Sequence, residues 1–272
     1  YNKTVSYSYD AVNRLVNVTD WDNHITNYSY DANGNLINVT YPNGMKTEYS
    51  YDEDNRLIKL TGKNESEVVS SYNYTLEAVG NRLRVDEQFL RGFELGDLGL
   101  NGSQPLTTTY EYDNLYRLTK VDYPFNKAVS YDYDSMGNRI TMTTTFDGIA
   151  STVNYTYDAA NRLLQSDNIS YSYDKKGNLI EKSEKSKQLV SYRYDGANRL
   201  KCVSTFISGK KIPKYLYNFE YDGDGNRIIK TIVNGKNVHS TKYVLDINNG
   251  LPQVLTESNR ENTTYYTYGT DL

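Results

Sequence analysis

From Val5 to Tyr9 the chain alternates, with residues 5, 7 and 9 on one parity and Ser6 and Ser8 on the other. A period of two predicts a half-buried β-strand. Asp10 follows, then two variable residues, then Asn13, Arg14 and Leu15, where a second apolar run begins. The phrase recurs ten times. It reads YSYDAVNRL from Tyr7, YSYDANGNL from Tyr28, YSYDEDNRL from Tyr49, YEYDNLYRL from Tyr110 and YDYDSMGNRI from Tyr131. It continues as YTYDAANRL from Tyr155, YSYDKKGNL from Tyr171, YRYDGANRL from Tyr192 and FEYDGDGNRI from Phe219, with a degraded copy, YNYTLEAVGNRL, from Tyr72. Such a unit buries its apolar face only against its neighbours, so the repeat predicts one continuous array over 1–272.

Each phrase reads as the tip of a β-hairpin. The recurring Asp residues are Asp10, Asp31, Asp52, Asp113, Asp134, Asp158, Asp174, Asp195 and Asp222. Three residues on stand Asn13, Gly34, Asn55, Tyr116, Gly137, Asn161, Gly177, Asn198 and Gly225. Eight of these nine are Asn or Gly, which enter the left-handed backbone region at least cost. The carboxylate is expected to accept turn amides and the third residue to close the turn with positive φ.

The closing residue alternates between the Asn and Gly types, if Tyr116 is counted with Asn. This predicts a two-hairpin super-repeat whose successive hairpins occupy different surroundings, such as opposite edges of a strip. Tyr9, Tyr30 and Tyr51 are 21 residues apart, enough for two strands and two short turns. The spacing breaks between Tyr74 and Tyr112, so an irregular insertion is expected around 85–105, with Phe89–Gly99 as a protruding loop.

Composition narrows the function classes. Tyrosine supplies 29 residues against 6 Phe and 1 Trp, which suits a sheet that is apolar at its body and wet at its hydroxyls. A formal net charge of −4 with interspersed signs implies no polyanion-binding field, so a nucleic-acid partner is not expected. Cys202 is the single cysteine, which excludes an internal disulfide and a Cys-based zinc site; it is expected to be buried. No apolar run is long enough for a membrane-spanning helix. No secretory signal stands at the start, and Tyr1 is not Met, so a segment of a longer polypeptide is expected. Sequons at Asn2, Asn17, Asn27, Asn38, Asn64, Asn73, Asn101, Asn154, Asn168 and Asn262 are candidate glycosylation sites if the protein is exported. They are equally explained by the abundance of Asn, Ser and Thr.

The phrase Y-x-Y-D-x-x-G-N-R-[LI], with Tyr131–Ile140 and Tyr171–Ile180 as close matches, resembles the YD repeat, also called the RHS repeat. Tyr243–Asp246, Gly250–Val254 and Tyr266–Leu272 look like the segment that precedes the conserved core of bacterial RHS shells. A pre-core segment is therefore expected around 243–272. The resemblance implies a spiralling antiparallel sheet that forms a hollow shell or part of one, as in Tc toxins, wall-associated polymorphic toxins and teneurins. It implies a secreted or cell-surface location. Its implied partners are the flanking regions of a longer RHS-type polypeptide, with an enclosed C-terminal effector or further copies of the chain. The family's self-cleaving Asp-Pro core has no counterpart, because none of Pro42, Pro105, Pro124, Pro213 or Pro252 follows an Asp.

Candidate chemistry is sparse. His24 and His239 have no sequence-local metal or triad pattern and read as surface or loop residues. Asp222–Asn226 faintly resembles the start of a calcium loop but lacks the EF-hand frame. Nine equivalent aspartates point to scaffolding, since an active site is built once. Paired tyrosines are expected to stack strand over strand as aromatic ladders, a surface that could also meet sugar rings. Arg14, Arg56, Arg117, Arg162 and Arg199 are expected to pack on a neighbouring Tyr or pair with a turn Asp. The expected fold is all-β, and no catalytic residue, cofactor or metal is assigned. The expected function is a non-enzymatic shell wall; the alternative is a subunit assembling edge to edge into an extracellular fibre or sheath.

Overall fold

The computed structural model describes residues 3–65, 67–89, 105–247 and 251–269. These residues form 23 strands and no helix. They are β1 (Ser6–Tyr9), β2 (Leu15–Thr19), β3 (Ile25–Tyr30), β4 (Leu36–Thr40), β5 (Met45–Tyr51), β6 (Leu57–Asn64), β7 (Glu67–Leu76), β8 (Arg82–Phe89), β9 (Leu106–Tyr112), β10 (Leu118–Tyr123), β11 (Lys127–Tyr133) and β12 (Arg139–Phe146). Then come β13 (Ile149–Tyr157), β14 (Leu163–Ser166), β15 (Ile169–Tyr173), β16 (Leu179–Glu184), β17 (Lys187–Tyr194), β18 (Leu200–Thr205), β19 (Tyr215–Tyr221), β20 (Arg227–Asn234), β21 (Asn237–Asp246), β22 (Gln253–Ser258) and β23 (Thr263–Tyr265).

The chain is described as two compact units. The first holds 1–132, 141–152 and 268–271; the second holds 133–140, 153–267 and 272. In the first unit, sequential strands from β1 to β11 pair antiparallel, each with the next. In the second, the same rule runs from β13 to β23. The insertion expected at 85–105 starts later, because Val85–Phe89 belong to β8 and pair with both β7 and β9. The rest of the expected loop, 90–104, lies outside the described residues. The segment at 243–272 contributes the end of β21, then β22 and β23.

Alternation sorts the side chains. In β3, Thr26, Tyr28 and Tyr30 are half-buried, while Ile25, Asn27 and Ser29 are exposed. Tyr28 pairs with Val39 and Val39 with Thr47, so the tyrosine face is continuous across β3, β4 and β5. Its core is thin. Among the described residues the buried apolar ones are Leu15, Val18, Val39, Val85, Val121 and Val129 in the first unit and Cys202 in the second. Each buried valine contributes roughly 1.5–3 kcal/mol. No large side chain among the described residues is fully buried. A sheet this thin depends on its cross-strand pairs and on the bonding of its turns.

The phrases at Tyr7, Tyr28, Tyr49, Tyr72, Tyr110, Tyr155, Tyr171, Tyr192 and Phe219 also carry a β-bulge. Tyr9 pairs with Leu15 but Ser8 with Asn17, so Val16 is extra. The same shift adds Ile37 after Leu36, Ile58 after Leu57, Ile180 after Leu179 and Lys201 after Leu200. A bulge at each of these hairpins increases local twist and disturbs the ladder beside it.

Candidate functional site

The repeated chemistry lies on one rim of each unit. Because the strands run up and down, the turns at Asp10–Arg14, Asp31–Asn35 and Asp52–Arg56 all fall at the same end of their sheet. They do not alternate between opposite edges.

Each turn is built identically around its carboxylate. Asp10 Oδ1 accepts from the backbone N–H groups of Val12 and Arg14, and Asn13 N–H donates to Asp10 O at 3.0 Å. Asp52, Asp113, Asp134, Asp158, Asp174 and Asp222 likewise accept from amides two and four residues on. Asp31 and Asp195 accept from Asn35 N–H and Arg199 N–H at 2.8 Å each. The closing residue is left-handed throughout, with φ 65° at Asn13, 59° at Asn55, 60° at Tyr116, 58° at Asn161 and 66° at Asn198. The corresponding angles are 90° at Gly34, 86° at Gly137, 89° at Gly177 and 91° at Gly225. In the degraded copy Glu77 replaces Asp, bonded by Asn81 Nδ2, and Gly80 closes at φ 96°.

The two turn types differ in how they reach forward. In the Asn type an arginine follows the closing residue. Arg14 Nε donates to Asp10 Oδ2 at 2.7 Å, Nη1 donates to Asp31 O at 3.1 Å, and the guanidinium lies 4.8 Å from the Tyr30 ring. Arg199 repeats this with Asp195, Asp222 O and Tyr221. Arg56 reaches the carbonyls of Glu77 and Ala78. In the Gly type an asparagine follows. Asn35 Nδ2 donates to Asp31 Oδ2 and to Asn55 Oδ1, and Asn178 Nδ2 to Asp174 Oδ2 and Asn198 Oδ1. Within a unit, such bonds tie a turn to the next one along the rim.

The second tyrosine of the phrase locks the bulge. Tyr30 Oη donates to Leu15 O, Tyr51 to Leu36 O, Tyr194 to Leu179 O and Tyr221 to Leu200 O, at 2.7–3.0 Å. These carbonyls belong to the residue just before each extra one, where the ladder is disturbed. Cations also lie over the rings, as with Arg82 on Tyr74 and Arg139 on Tyr155. Ring pairs do occur at Tyr72–Phe89 and Tyr215–Tyr217.

Hydrogen bonding lowers the turn carboxyls below the usual carboxylate range. The leading cause is the following Arg amide for Asp10, Asp52, Asp113, Asp158 and Asp195. For Asp31, Asp134, Asp174 and Asp222 it is the Asn side-chain amide. Burial raises the hydroxyl pKa of Tyr157, Tyr173 and Tyr194.

His24 lies exposed beside a turn and has one local carboxylate partner. Its Nδ1 lies 3.1 Å from Asp20 Oδ2 in a turn of the same design, closed by Asn23 at φ 64°. The signal was Asn three residues after Asp, without the tyrosine pair. His239 is exposed in β21. The carboxylate of Asp222, in the calcium-like sequence, is taken up by Asp224 N–H, Asn226 N–H and Asn226 Nδ2. Among the sequons, Asn17, Asn27, Asn38 and Asn73 share the polar strand face, Asn17 and Asn27 as direct cross-strand partners. Asn154 is exposed in β13, Asn64 is exposed at the end of β6, and Asn168 and Asn262 lie in exposed connections. Asn2 and Asn101 lie outside the described residues.

Comparison with known proteins gives the same architecture. Residues 30–66 match the RHS Repeat model and residues 97–205 the Teneurin YD-shell model. The chain is 36% identical over 160 residues to the tRNA nuclease WapA of Bacillus subtilis strain 168. It is 35% identical over 158 residues to the tRNA3(Ser)-specific nuclease WapA of Bacillus spizizenii. Each match covers 58% of this chain and 6% of the relative. In fold it is similar to the Photorhabdus luminescens Tc holotoxin pore, with TM-score 0.67, 19% identity, and coverage of 96% of this chain and 14% of that one. It is also similar to the TcdB2-TccC3-Cdc42 structure, with TM-score 0.66, 18% identity, and coverage of 96% and 15%. A repeated rim bonded turn to turn, on an all-β sheet, defines a shell-type structural scaffold. Over residues 30–66 and 97–205 the chain resembles the YD-repeat, or RHS-repeat, family.

Proposed function

We propose that this chain is a non-enzymatic wall segment of a secreted or cell-surface YD-repeat protein, which encloses an effector or presents a binding surface. The observation that carries the reading is the equivalence of the turns. All nine aspartates spend their carboxylates on their own turn, and none stands apart beside a distinct acid, base or nucleophile. Likeness to Tc toxin structures supports a shell role, and the WapA relatives supply the precedent of a repeat within a much longer toxin. The nuclease activity in their names need not reside in the small part that this chain matches.

The test uses the full-length polypeptide that carries this chain. Limited proteolysis should leave an enclosed C-terminal effector intact until the repeat region is cut. Effector degradation at the rate of the free effector contradicts enclosure. The purified chain should leave tRNA uncut, and cleavage that co-purifies with it through mutation of its flanks contradicts the non-enzymatic reading. Sequons on the polar face and in the exposed connections are the proposed glycan acceptors, to be read by intact mass after expression in an exporting host.

Assembly into an edge-to-edge fibre is a second reading. It is favoured by β1, whose four residues are all exposed. Filaments in electron micrographs of the isolated chain support it, and discrete particles support the shell.

A further inference from the structure

The signs of charge are interspersed along the sequence, but in the second unit the fold sorts them. One rim carries the turns at Asp158, Asp174, Asp195 and Asp222. The opposite rim holds the tips of three neighbouring hairpins, and lysines collect there. Lys185 lies between β16 and β17, and Lys187 opens β17. The connection 206–214, between β18 and β19, carries Lys210, Lys211 and Lys214. Lys236 lies between β20 and β21. The pairs Glu184 with Lys187, Thr205 with Tyr215 and Asn234 with Asn237 close the three hairpins at the same end of the sheet. The first two tips touch, since a Cβ at Gly209 would lie 3.9 Å from Lys187 Cδ.

All of these lysines are exposed. Over residues 183–188, 205–215 and 233–238 the one carboxylate is Glu184. Asp167, at the next tip along, accepts from Asn154 N–H at 2.8 Å. Strands lie about 4.8 Å apart, so the three tips span roughly 20 Å and can face one plane together. The middle connection adds Ile207 and Ile212, 55% and 82% exposed, on either side of Lys210 and Lys211.

We infer that this rim docks on an anionic lipid surface, its lysines meeting the headgroups and Ile207 and Ile212 entering the layer beneath. This goes beyond the wall role and holds whether or not the wall encloses an effector. Lysines together with exposed aliphatic side chains match a bilayer interface, which offers negative charge above hydrocarbon. A single-stranded nucleic acid would call for free stacking rings. The rings beside this connection, Tyr215 and Tyr217, are half-buried in β19 with centroids 6.2 Å apart. An acidic polypeptide would be served best by the planar fork of arginine, and the three tips contain none.

The test is cosedimentation of the purified chain with vesicles at about 0.1 M salt. Phosphatidylcholine vesicles with about one-third phosphatidylglycerol should bind at least fivefold more chain than pure phosphatidylcholine, and about 1 M salt should remove the difference. Each lysine near such a surface strengthens binding about fivefold. Replacing Lys210, Lys211 and Lys236 together with Gln should therefore weaken binding at least tenfold. Lys175→Gln with Lys176→Gln, on the turn rim, should change it less than twofold. Ile207→Ser with Ile212→Ser keeps every charge and should weaken binding at least threefold. Thermal midpoints check that the variants fold, and the comparisons of lipid and of salt need only the parent chain. Equal binding to both vesicles, an equal loss in the turn-rim variant, or undiminished binding of the serine variant overturns the proposal. Tighter binding of polyuridylate RNA than of the anionic vesicles overturns it too, and assigns the rim to a soluble polyanion.

Discussion

Arg14 donates to the backbone carbonyl of Asp31, seventeen residues ahead in a different hairpin, while holding the carboxylate of its own Asp10. One side chain thus joins two turns. Arginine suits this position because its planar fork reaches both acceptors at once while its guanidinium carbon stays 4.8 Å from the centre of the Tyr30 ring. Arg199 makes the same bridge between Asp195 and Asp222. Replacing it with Ala should cost about 1–2 kcal/mol in urea denaturation, the lower end reflecting partial solvent screening. Lys should recover less than half of the loss, because a point charge cannot serve both acceptors. Full recovery by Lys would reduce the bridge to simple charge pairing.

The tyrosine hydroxyls make a separate prediction. Tyr194 and Tyr221 each donate to a carbonyl beside a bulge. Phe at either position keeps the ring and removes the bond, at an expected cost of about 1 kcal/mol each. The two losses should add, since the hydroxyls serve different carbonyls. No loss at either position would mean that water replaces the hydroxyl freely.

Turn closure separates the two backbone types. Gly177 sits at φ 89° and Asn161 at φ 58°. Gly177→Ala should destabilise by about 1–2 kcal/mol through left-handed strain. Asn161→Gly should be nearly neutral in the backbone, with any loss confined to the amide that receives Asn138. Unfolding midpoints of the two variants decide the matter.

Acid should loosen the rim. The turn carboxyls are depressed in the folded chain by amide hydrogen bonds, as for Asp10 and Asp174. A depressed folded pKa contributes stability that is fully present above the unfolded value of about 3.9 and is lost as pH falls through the folded value. Urea midpoints should therefore be level from pH 7 to about pH 5 and fall steeply below about pH 4. A midpoint that rises on acidification contradicts the account.

The last phrase breaks the pattern, and the structure gives a reason. Tyr266–Gly269 repeats the tyrosine pair with Gly in place of Asp. A Cβ at Gly269 would overlap the Tyr28 hydroxyl, both residues belonging to the first unit. Gly269→Val should displace this segment from Tyr28 and speed proteolysis near the C-terminus, and Tyr28→Ala should reverse the effect. Unchanged proteolysis in Gly269→Val would show that the close approach does not persist in solution.

The strands and turns were legible because they rest on local chemistry: alternation around Tyr7 and Tyr9, a carboxylate at Asp10, and a residue at position 13 that tolerates positive φ. The alternation of Asn and Gly types was legible too, but not its meaning. That meaning depends on Arg14 reaching Asp31 and on Asn35 reaching Asn55, contacts fixed only once neighbouring hairpins share a rim. The bulge at Val16 was missed because an extra residue changes register without changing composition. The turn at Asp20–Asn23 was passed over because it lacks tyrosines, although its Asp-to-Asn spacing is that of the phrase.

The most direct measurement replaces each of the nine turn aspartates singly with Ala and determines unfolding free energy by urea titration. The account predicts losses alike within about twofold at all nine positions, because every carboxylate does the same work. A position whose replacement leaves stability intact yet abolishes a function of the full-length protein would contradict it.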